Sequence, residues 1–311
     1  WELHAIPGNE WVGRAEQRLE RCVGLEEGWD GEEERKGGDT TWVTALLDLK
    51  RGEKGSGSFR RSMDEYFARF QRVLDRGFPM VIFIPKRDFA GKLRLDKNLH
   101  TVVEFSTSTL ELVFPYVSRV REIRKSPVWE KQAKSLGWLF ESPQSQLDLY
   151  DPLVMSKVFL LRDAARLNPH HTRYFMWMDA GHACAGATNP GQIPVWEKLM
   201  ESNRFLITHW PYASTTEVHG MLDKAMHLYV GTEADPLRIV RGGVLGGRRA
   251  AIECLAKIYP IPLHQSLTDG YLGTEENILA ITFARFPNLF APFDNGPGGD
   301  NCASFTANKR K

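Results

Sequence analysis

One acidic side chain stands where α/β proteins commonly place a ligand. The segment Trp177–His182 (Trp-Met-Asp-Ala-Gly-His) follows the apolar residues 174–176, so a buried strand is expected to end at the carboxylate of Asp179. Ligands of open α/β sheets bind beyond the carboxyl ends of the strands. A carboxylate there can hold Mn²⁺ or Mg²⁺, which prefer oxygen ligands and bridge phosphates. The simpler alternative is that Asp179 caps the turn, and His182 is either a second ligand or a loop histidine.

A cluster of glycines late in the chain could bring backbone close to a ligand. Gly242-Gly243 and Gly246-Gly247 are separated by two apolar residues. Paired glycines leave no side chain between the backbone and a bound molecule. The spacing does not match the GxGxxG fingerprint of dinucleotide-binding proteins, which disfavours a nucleotide-dependent oxidoreductase. We expect a loop that faces a sugar, with a plain turn before a helix as the alternative.

Two glutamates begin the last predicted helix. Glu275 and Glu276 lie within the segment Gly273–Asn277, just after Asp269-Gly270. Acidic residues at a helix N-terminus are stabilised by the helix dipole, so capping alone would explain them. A carboxylate near an acceptor hydroxyl could instead serve as a general base or bind the acceptor. Both interpretations stay open.

Charged residues near two other elements are candidates for nucleotide and phosphate binding. Asp48 closes the first predicted strand, and Arg51 follows with a planar guanidinium that suits phosphate. Lys157 lies on the helix before the Asp179 strand and is a second phosphate candidate, with a solvated helix face as the alternative. The sequence has no Ser-His-Asp order, no GxSxG elbow and no P-loop.

Alternating strands and helices must position these residues. Apolar runs and helical spacing predict strands at 41–48, 79–84, 102–103, 110–114, 174–179, 204–209 and 227–230, and helices at 59–76, 129–138, 151–168, 195–201, 251–258 and 274–286. Asp151 is expected to cap the third of these helices, with Pro152 at its first position. The order predicts an α/β fold with a mostly parallel sheet flanked by helices.

Composition narrows the function classes. The chain has 311 residues, with 40 basic and 39 acidic side chains, so no global charge attracts nucleic acid. No apolar stretch approaches the roughly 20 residues of a membrane span. The four cysteines (Cys22, Cys184, Cys254 and Cys302) form no CxxC pair, which disfavours zinc or a dithiol redox site. These cysteines either form one or two disulfides or are free thiols. There is no Asn-x-Ser/Thr sequon.

The ends of the chain differ in composition from its centre. Residues 1–40 are rich in glycine and glutamate and predict a short helix near 13–22 and a connector, which together resemble a stem. A single domain is expected over 41–295 and a flexible tail over 296–311. Because the chain starts at Trp1, we expect that a natural N-terminus with a membrane anchor is missing. This favours a Golgi or ER lumen location, with the cytoplasm as the alternative.

Four stretches together resemble the HtrL/YibB family of glycosyltransferase-like proteins. They are Thr44–Asp48 with Arg51, Ser142–Gln144, Tyr150–Lys157 and Trp177–Gly181, of which the last is the most specific. The resemblance covers roughly residues 40–290. It implies a GT-A-type, Rossmann-like glycosyltransferase domain. Such a protein would move a sugar from a nucleoside diphosphate donor, UDP-linked in our expectation, to a hydroxyl of a glycan or glycoconjugate. The alternative is an inactive GT-A-like protein that binds carbohydrate or a partner.

The resemblance also implies roles for individual residues. The nucleotide would be bound by Thr44, Asp48 and Arg51, beside the phosphate candidate Lys157 noted above. The donor sugar would be bound by Gly242 and Gly243, the metal by Asp179, and the acceptor by Glu275 and Glu276. One position departs from the Asp-x-Asp metal motif of GT-A enzymes, since Gly181 replaces the second aspartate. Mn²⁺ or Mg²⁺ would then be bound by Asp179 together with a distant partner such as His264, or the reaction would need no metal.

Overall fold

A computed structural model of the chain describes residues 39–54, 59–89, 91–181, 193–213, 216–230 and 238–294. Several predictions lie outside these ranges. They concern the stem before residue 39, His182, the tail from residue 296, and the cysteines at 22, 184 and 302.

A seven-stranded sheet forms the centre of the fold. Its strands are β1 (Thr40–Ala45), β2 (Met80–Ile84), β3 (His100–Glu104), β4 (Tyr174–Met178), β5 (Phe205–Ala213), β8 (Arg238–Arg248) and β9 (Phe290–Asp294). Their order is β3-β2-β1-β4-β8-β5-β9, and β8 runs antiparallel to both of its neighbours while the other pairs are parallel. A separate hairpin pairs β6 (Glu217–Val218) with β7 (Met221–Leu222). The predicted α/β class with a mostly parallel sheet is confirmed.

Helices cover both faces of this sheet. Those in the described residues are α1 (Arg51–Lys54), α2 (Met63–Leu74), α3 (Lys86–Phe89), α4 (Thr107–Val113), α5 (Val117–Arg124), α6 (Pro127–Ser135), α7 (Trp138–Glu141), α8 (Pro143–Gln146), α9 (Tyr150–Met155), α10 (Lys157–Leu167), α11 (Ile193–Met200), α12 (Asp223–Val230), α13 (Arg249–Ile258), α14 (Pro260–Thr268) and α15 (Glu275–Arg285). None is long and apolar enough to cross a membrane.

Burial on both faces explains the near-continuous apolar strands. Every residue of β1, β2 and β4 is buried, as expected for parallel strands that are covered on both sides. Alternate residues enter two different cores. Phe175 and Trp177 of β4 pack with α10, α13 and α15, whereas Met176 and Met178 pack with α2 and α11. The central strands therefore contribute side chains to the hydrophobic cores on both faces of the sheet.

Two predicted strands are helices instead. Residues 110–113 belong to α4 and Phe114 is its C-cap, while at the other end Ser106 accepts a hydrogen bond from the backbone of Thr109 and caps the helix. Residues 227–230 belong to α12. Both predictions rested on three or four apolar residues, and a run that short has the same pattern in a buried strand and a buried helix.

Two further predictions about local structure are wrong. The helix predicted at 151–168 is divided at Ser156 into α9 and α10, and α9 begins after Leu149, so Asp151 is not its N-cap. Asp151 is buried instead, and neither of its carboxylate oxygens has a hydrogen-bond partner in the described residues. The predicted glycine loop is wrong too, because Gly242 and Gly243 lie inside strand β8.

The strand order creates an opening at one edge of the sheet. The chain moves outward from β1 to β2 and β3 and then returns to place β4 on the other side of β1. At such a switch point the connections leave the carboxyl ends of the two central strands in opposite directions, and a crevice remains between them. The residues that follow β1 and β4 face this crevice.

One open question about the cysteines is answered for Cys254. This residue of α13, which is the cysteine within the described ranges, is disulfide-bonded. Disulfides persist in oxidising compartments.

Candidate active site

Asp179 is the first residue beyond β4 and is held by one of its two oxygens. Trp177 and Asp179 are two positions apart and so point to the same face of the sheet. The indole nitrogen of Trp177 donates to Asp179 Oδ1 at 2.8 Å, and Lys157 Nζ lies 2.8 Å from the same oxygen. The side chain is 41% exposed, and Oδ2 has no partner among the described residues. Asp179 therefore offers one carboxylate oxygen to the crevice in a fixed orientation.

Lys157 joins Asp179 to the last helix. Its Nζ lies 2.6 Å from Glu275 Oε1 and 3.0 Å from the carbonyl oxygen of Gly242, so its three donors match three acceptors. The side chain is 5% exposed. Burial disfavours the charge, but Asp179 and Glu275 outweigh burial and raise the pKa of Lys157. The solvated helix face considered from the sequence is wrong, and the ammonium is not free to bind phosphate in this arrangement. We call Lys157, Asp179, Glu275 and Trp177 the lysine cluster.

The two glutamates begin α15, as predicted, but both are buried. The cap is made by other residues, since the Asn277 side chain accepts from the backbone of Thr274 at 2.7 Å. Burial raises the pKa of Glu275, and Glu276 and Asp179 add to that effect against the attraction of Lys157. Glu275 is therefore part of a closed ionic contact rather than an exposed acid or base.

Glu276 belongs to a second group of charges. Its Oε1 accepts from the backbone nitrogen of Gly242 at 2.6 Å, and its Oε2 contacts His219 Nε2 and lies 3.8 Å from Arg241 Nη1. The guanidinium of Arg241 stacks over the ring of Trp210, 4.9 Å from its centre. Burial opposes the charge of Glu276, but His219 and Arg241 outweigh it and lower the pKa of Glu276. We call Glu276, His219, Arg241 and Trp210 the histidine cluster.

Gly242 separates the two clusters and lies in a bulge of β8. Ile207 pairs with Leu245 and Thr208 pairs with Arg241, so residues 242–244 have no partner in β5. The hydroxyl of Thr208 contacts the carbonyl oxygens on both sides of the bulge, at 3.1 and 3.2 Å. A Cβ at Gly242 would overlap the carboxylate of Glu275. Glycine is required here because an acidic side chain approaches, and the predicted role of Gly242 and Gly243 in a sugar pocket has no exposed surface to support it.

A tight hairpin places His219. The two turn residues between β6 and β7, His219 and Gly220, have φ of 47° and 86°, which is typical of a type I′ turn. Asn277 donates to the carbonyl of Val218 at 2.7 Å, and Gln144 donates to that of His219 at 2.7 Å. Since α15, α8 and the hairpin are tied together, the imidazole is held against Glu276.

The residues after β1 form the other side of the crevice. Asp48 is exposed, accepts from the backbone of Lys50 at 2.9 Å and pairs with its side chain. Arg51 donates to the carbonyl of Phe59 at 2.7 Å and to the hydroxyl of Tyr66 at 2.8 Å. Thr44 is wholly buried within β1 with an unpartnered hydroxyl, so its predicted contact with a nucleotide is not available in this structure.

Tyr66 gives a physical reason for Gly181. A Cβ at position 181 would overlap the ring of Tyr66, which α2 packs against the turn that follows Asp179. Arg69, one turn further along α2, lies 3.4 Å from the carbonyl oxygen of Gly181. A side chain at position 181 would therefore collide with an aromatic ring whose hydroxyl accepts from Arg51.

Sequence comparison assigns the chain to a family. A family model described as "Bacterial protein of unknown function (HtrL_YibB)" matches residues 38–302. The chain belongs to the HtrL_YibB family. The predicted resemblance is thus confirmed. No curated protein matches the chain.

A solved structure is also similar to this HtrL_YibB protein. Mouse xyloside xylosyltransferase 1 in its apo form aligns with 82% of this chain and 85% of its own, at 12% sequence identity and a TM-score of 0.39. A likeness of this degree carries no information about substrate or reaction.

The two residues predicted to hold a metal in this HtrL_YibB protein make no contact with each other among the described residues. His264 lies in α14, where its ring is 5.8 Å from that of Tyr116, and no contact among the described residues joins it to Asp179. The described ranges contain no group of three or more His, Cys, Asp or Glu arranged to hold a metal. Mg²⁺ is often bound by one or two carboxylates together with substrate phosphates. The free Oδ2 of Asp179 fits that mode.

Sequence reasoning missed several residues of this HtrL_YibB site. Tyr150 is one: burial and Glu275 raise the pKa of its hydroxyl, whereas Arg51 and Lys157 lower it, so it lies among the charges of the crevice. Tyr150 lies in the stretch Tyr150–Lys157 that resembles the family, and this resemblance could have indicated it as a site residue. The signal at His219 was the glycine that follows it, since glycine is common in the two-residue turns of hairpins. Tyr66 and Arg241 had no signal of their own.

Proposed function

We propose that this protein is a glycosyltransferase that moves a sugar from a nucleoside diphosphate sugar to a hydroxyl acceptor. The observation that carries the proposal is the carboxylate of Asp179 at the switch point between β1 and β4. Lys157 and Trp177 hold its Oδ1, and its Oδ2 is free among the described residues. A half-exposed carboxylate in that crevice suits a divalent cation or a ligand hydroxyl. UDP is the expected nucleotide, and a glycan or glycoconjugate is the expected acceptor.

The two sides of the crevice would divide the donor between them. Asp48 and Arg51 lie after β1, where a ribose or base and a phosphate would meet a carboxylate and a guanidinium. Asp179 would hold Mn²⁺ or Mg²⁺ shared with the diphosphate. That cation, when bound, neutralises charge on the departing diphosphate. Lys157 fixes the orientation of Asp179, since its ammonium is 2.8 Å from Oδ1.

The buried pair of Lys157 and Glu275 also excludes water from one wall of the site. Lys157 and Glu275 are both buried, and the glycine bulge of β8 covers them. Electrostatic interactions are stronger where water is excluded. We further propose an oxidising compartment, such as the ER or Golgi lumen, because Cys254 is disulfide-bonded.

Calorimetry with UDP and Mn²⁺ tests the proposal. Asp179→Asn removes the carboxylate charge and keeps its shape, and we expect at least tenfold weaker UDP binding in the presence of Mn²⁺. Asp163→Asn is the matched control: Asp163 lies on α10, is 37% exposed and pairs with Arg162 at 2.7 Å. Equal UDP affinity in all three proteins would remove Asp179 from the donor site.

A non-catalytic carbohydrate- or partner-binding protein is the second candidate. It is favoured by Gly181, which leaves one aspartate where GT-A enzymes have two, and by the ion pair that occupies Asp179 Oδ1. Slow release of UDP from bound UDP-sugars separates the two functions. A transferase is expected to hydrolyse its donor slowly with water as the acceptor, whereas a binding protein leaves it intact.

A further inference from the structure

His219 has one ring nitrogen engaged and one available. Its Nε2 contacts Glu276 Oε2 and lies 3.3 Å from Arg241 Nη1, while Nδ1 makes no hydrogen bond with the described residues. The side chain is 28% exposed. The left-handed backbone of His219 is disfavoured for a residue with a Cβ, and such conformations persist where surrounding contacts enforce them. The hairpin therefore presents a histidine whose inner nitrogen is fixed and whose outer nitrogen is open.

Neither glutamate of α15 is free to take a proton in this arrangement. Glu275 is bound by the buried ammonium of Lys157. Glu276 uses Oε1 for the Gly242 backbone and Oε2 for His219. A general base must reach the proton that it abstracts, and His219 alone among these three exposes a nitrogen without a partner.

We propose that His219 is the proton acceptor for the attacking hydroxyl and that Glu276 orients its ring. The inference rests on the proposed transferase function and names a further catalytic residue for it. The acceptor oxygen forms a bond to the anomeric carbon, the bond from that carbon to the diphosphate oxygen breaks, and the electron pair leaves with the diphosphate. The hydroxyl proton moves to Nδ1 of His219 and is then released to solvent. Glu276 is a positioning residue because it acts through the imidazole.

The charges around the ring suit this role. The groups that face His219 are Glu276 and Glu275 of α15 and Arg241 of β8. Burial lowers the pKa of His219 and Arg241 lowers it further, but Glu276, with Glu275, outweighs both, so the pKa is raised above 6.5. A base works best with a pKa near the working pH. Activity is expected to rise with pH as His219 loses its proton.

The test combines nucleotide binding with UDP release from UDP-glucose, UDP-galactose, UDP-N-acetylglucosamine and UDP-xylose, with water as the acceptor. His219→Gln is expected to lower the kcat of release by about 10²- to 10⁴-fold, the usual contribution of general base catalysis. Its affinity for UDP should stay within twofold of wild type. His227→Gln is the matched control, because His227 also lies beside a carboxylate, that of Asp223 at 3.3 Å, and is 47% exposed.

The pH profile separates a base from a structural role. Glu276→Gln removes the charge that raises the pKa of His219, so the acidic limb of kcat should move to lower pH. Arg241→Gln removes the charge that lowers it, and the limb should move to higher pH. If Glu276→Gln does not fold, the shift of the limb in Arg241→Gln tests the proposal by itself. Limbs that stay in place in the folded variants overturn the proposal.

The possible failures are distinguishable. Normal kcat in His219→Gln, with UDP release intact in wild type, would overturn the role of His219 and leave the transferase function standing. Wild-type protein that binds UDP but releases none from any donor would overturn the transferase function and this inference with it.

Discussion

The lysine and histidine clusters lie on either side of Gly242, and the basic side chains at their centres differ in their access to water. Lys157 is surrounded by protein acceptors and almost completely buried. His219 is partly exposed and keeps one ring nitrogen open. Glu275 and Glu276 are adjacent in the first turn of α15, yet Glu275 pairs with Lys157 and Glu276 pairs with His219.

The pKa directions of the two glutamates show what this difference means. Burial is the leading influence on both. Glu275 has one cation and two carboxylates around it, and its pKa is raised. Glu276 has His219 and Arg241, and its pKa is lowered. The buried pair of Lys157 and Glu275 holds the shape of the site, whereas the open histidine cluster keeps a partly exposed imidazole.

The largest effect on stability is expected from the buried pair of Lys157 and Glu275. Lys157→Met leaves Glu275 buried without its partner, and losing one member of a buried pair costs about 3–5 kcal/mol of unfolding free energy. Urea unfolding measures it. The control is Lys134→Met, since Lys134 pairs with Glu130 at 2.6 Å but is 59% exposed, a setting in which a pair contributes about 0–1 kcal/mol. Similar losses in both variants would contradict the energetic importance of the buried Lys157–Glu275 pair.

The division at Gly242 depends on the absence of a side chain. Gly242→Ala drives a methyl group into Glu275 and should cost about 1–3 kcal/mol, as overpacking does. Gly247→Ala in the same strand is a suitable comparison, because its Cβ would meet Ala251 Cβ at an ordinary 3.4 Å. The Glu275→Gly background should relieve the first variant, and no relief would mean that Glu275 is not the obstacle.

Asp151 extends the closed side and should make stability depend on pH. Burial and Glu275 raise its pKa well above 3.8, although Arg124 opposes them. A carboxyl with a raised folded pKa stabilises the fold below its unfolded pKa and loses that stabilisation as pH rises through the folded pKa. Relative to wild type, Asp151→Asn should therefore gain stability between pH 4 and 7. The gain should be smaller than the two losses above, because Arg124 partly compensates the charge. A pH-independent difference in melting temperature would exclude this titration.

The open cluster should show the smallest effect on stability. The pKa of His219 is raised in the folded protein, so its ion pair stabilises the fold fully below the unfolded value of 6.5 and is lost as pH rises through the folded pKa. His219→Gln should therefore destabilise more at pH 6 than at pH 9, and by less than Lys157→Met because water screens the pair. Thermal unfolding at the two pH values measures the difference. A larger loss at pH 9 would have the wrong sign for this pair.

Much of the fold could be predicted because buried strands and long amphipathic helices have distinct patterns. β1, β2, β4 and α15 lie within a few residues of their predicted bounds. The errors at α4 and α12 arose in short apolar runs, for which packing decides between helix and strand. Asp179, Asp48 and Arg51 follow the strands that they were predicted to follow, whereas no pattern in the sequence indicated the buried contact of Lys157.

The sequence by itself determined where the chain alternates between strand and helix and which acidic residue ends the central strand. Those features depend on periodicity and on neighbours along the chain. Only the tertiary structure decided that Lys157 meets Asp179 and Glu275, that Tyr66 fills the space beside Gly181, and that His219 rests on Glu276. Such contacts join residues that are tens of positions apart. Their pKa values and exposure follow from burial and from partners that no local pattern contains.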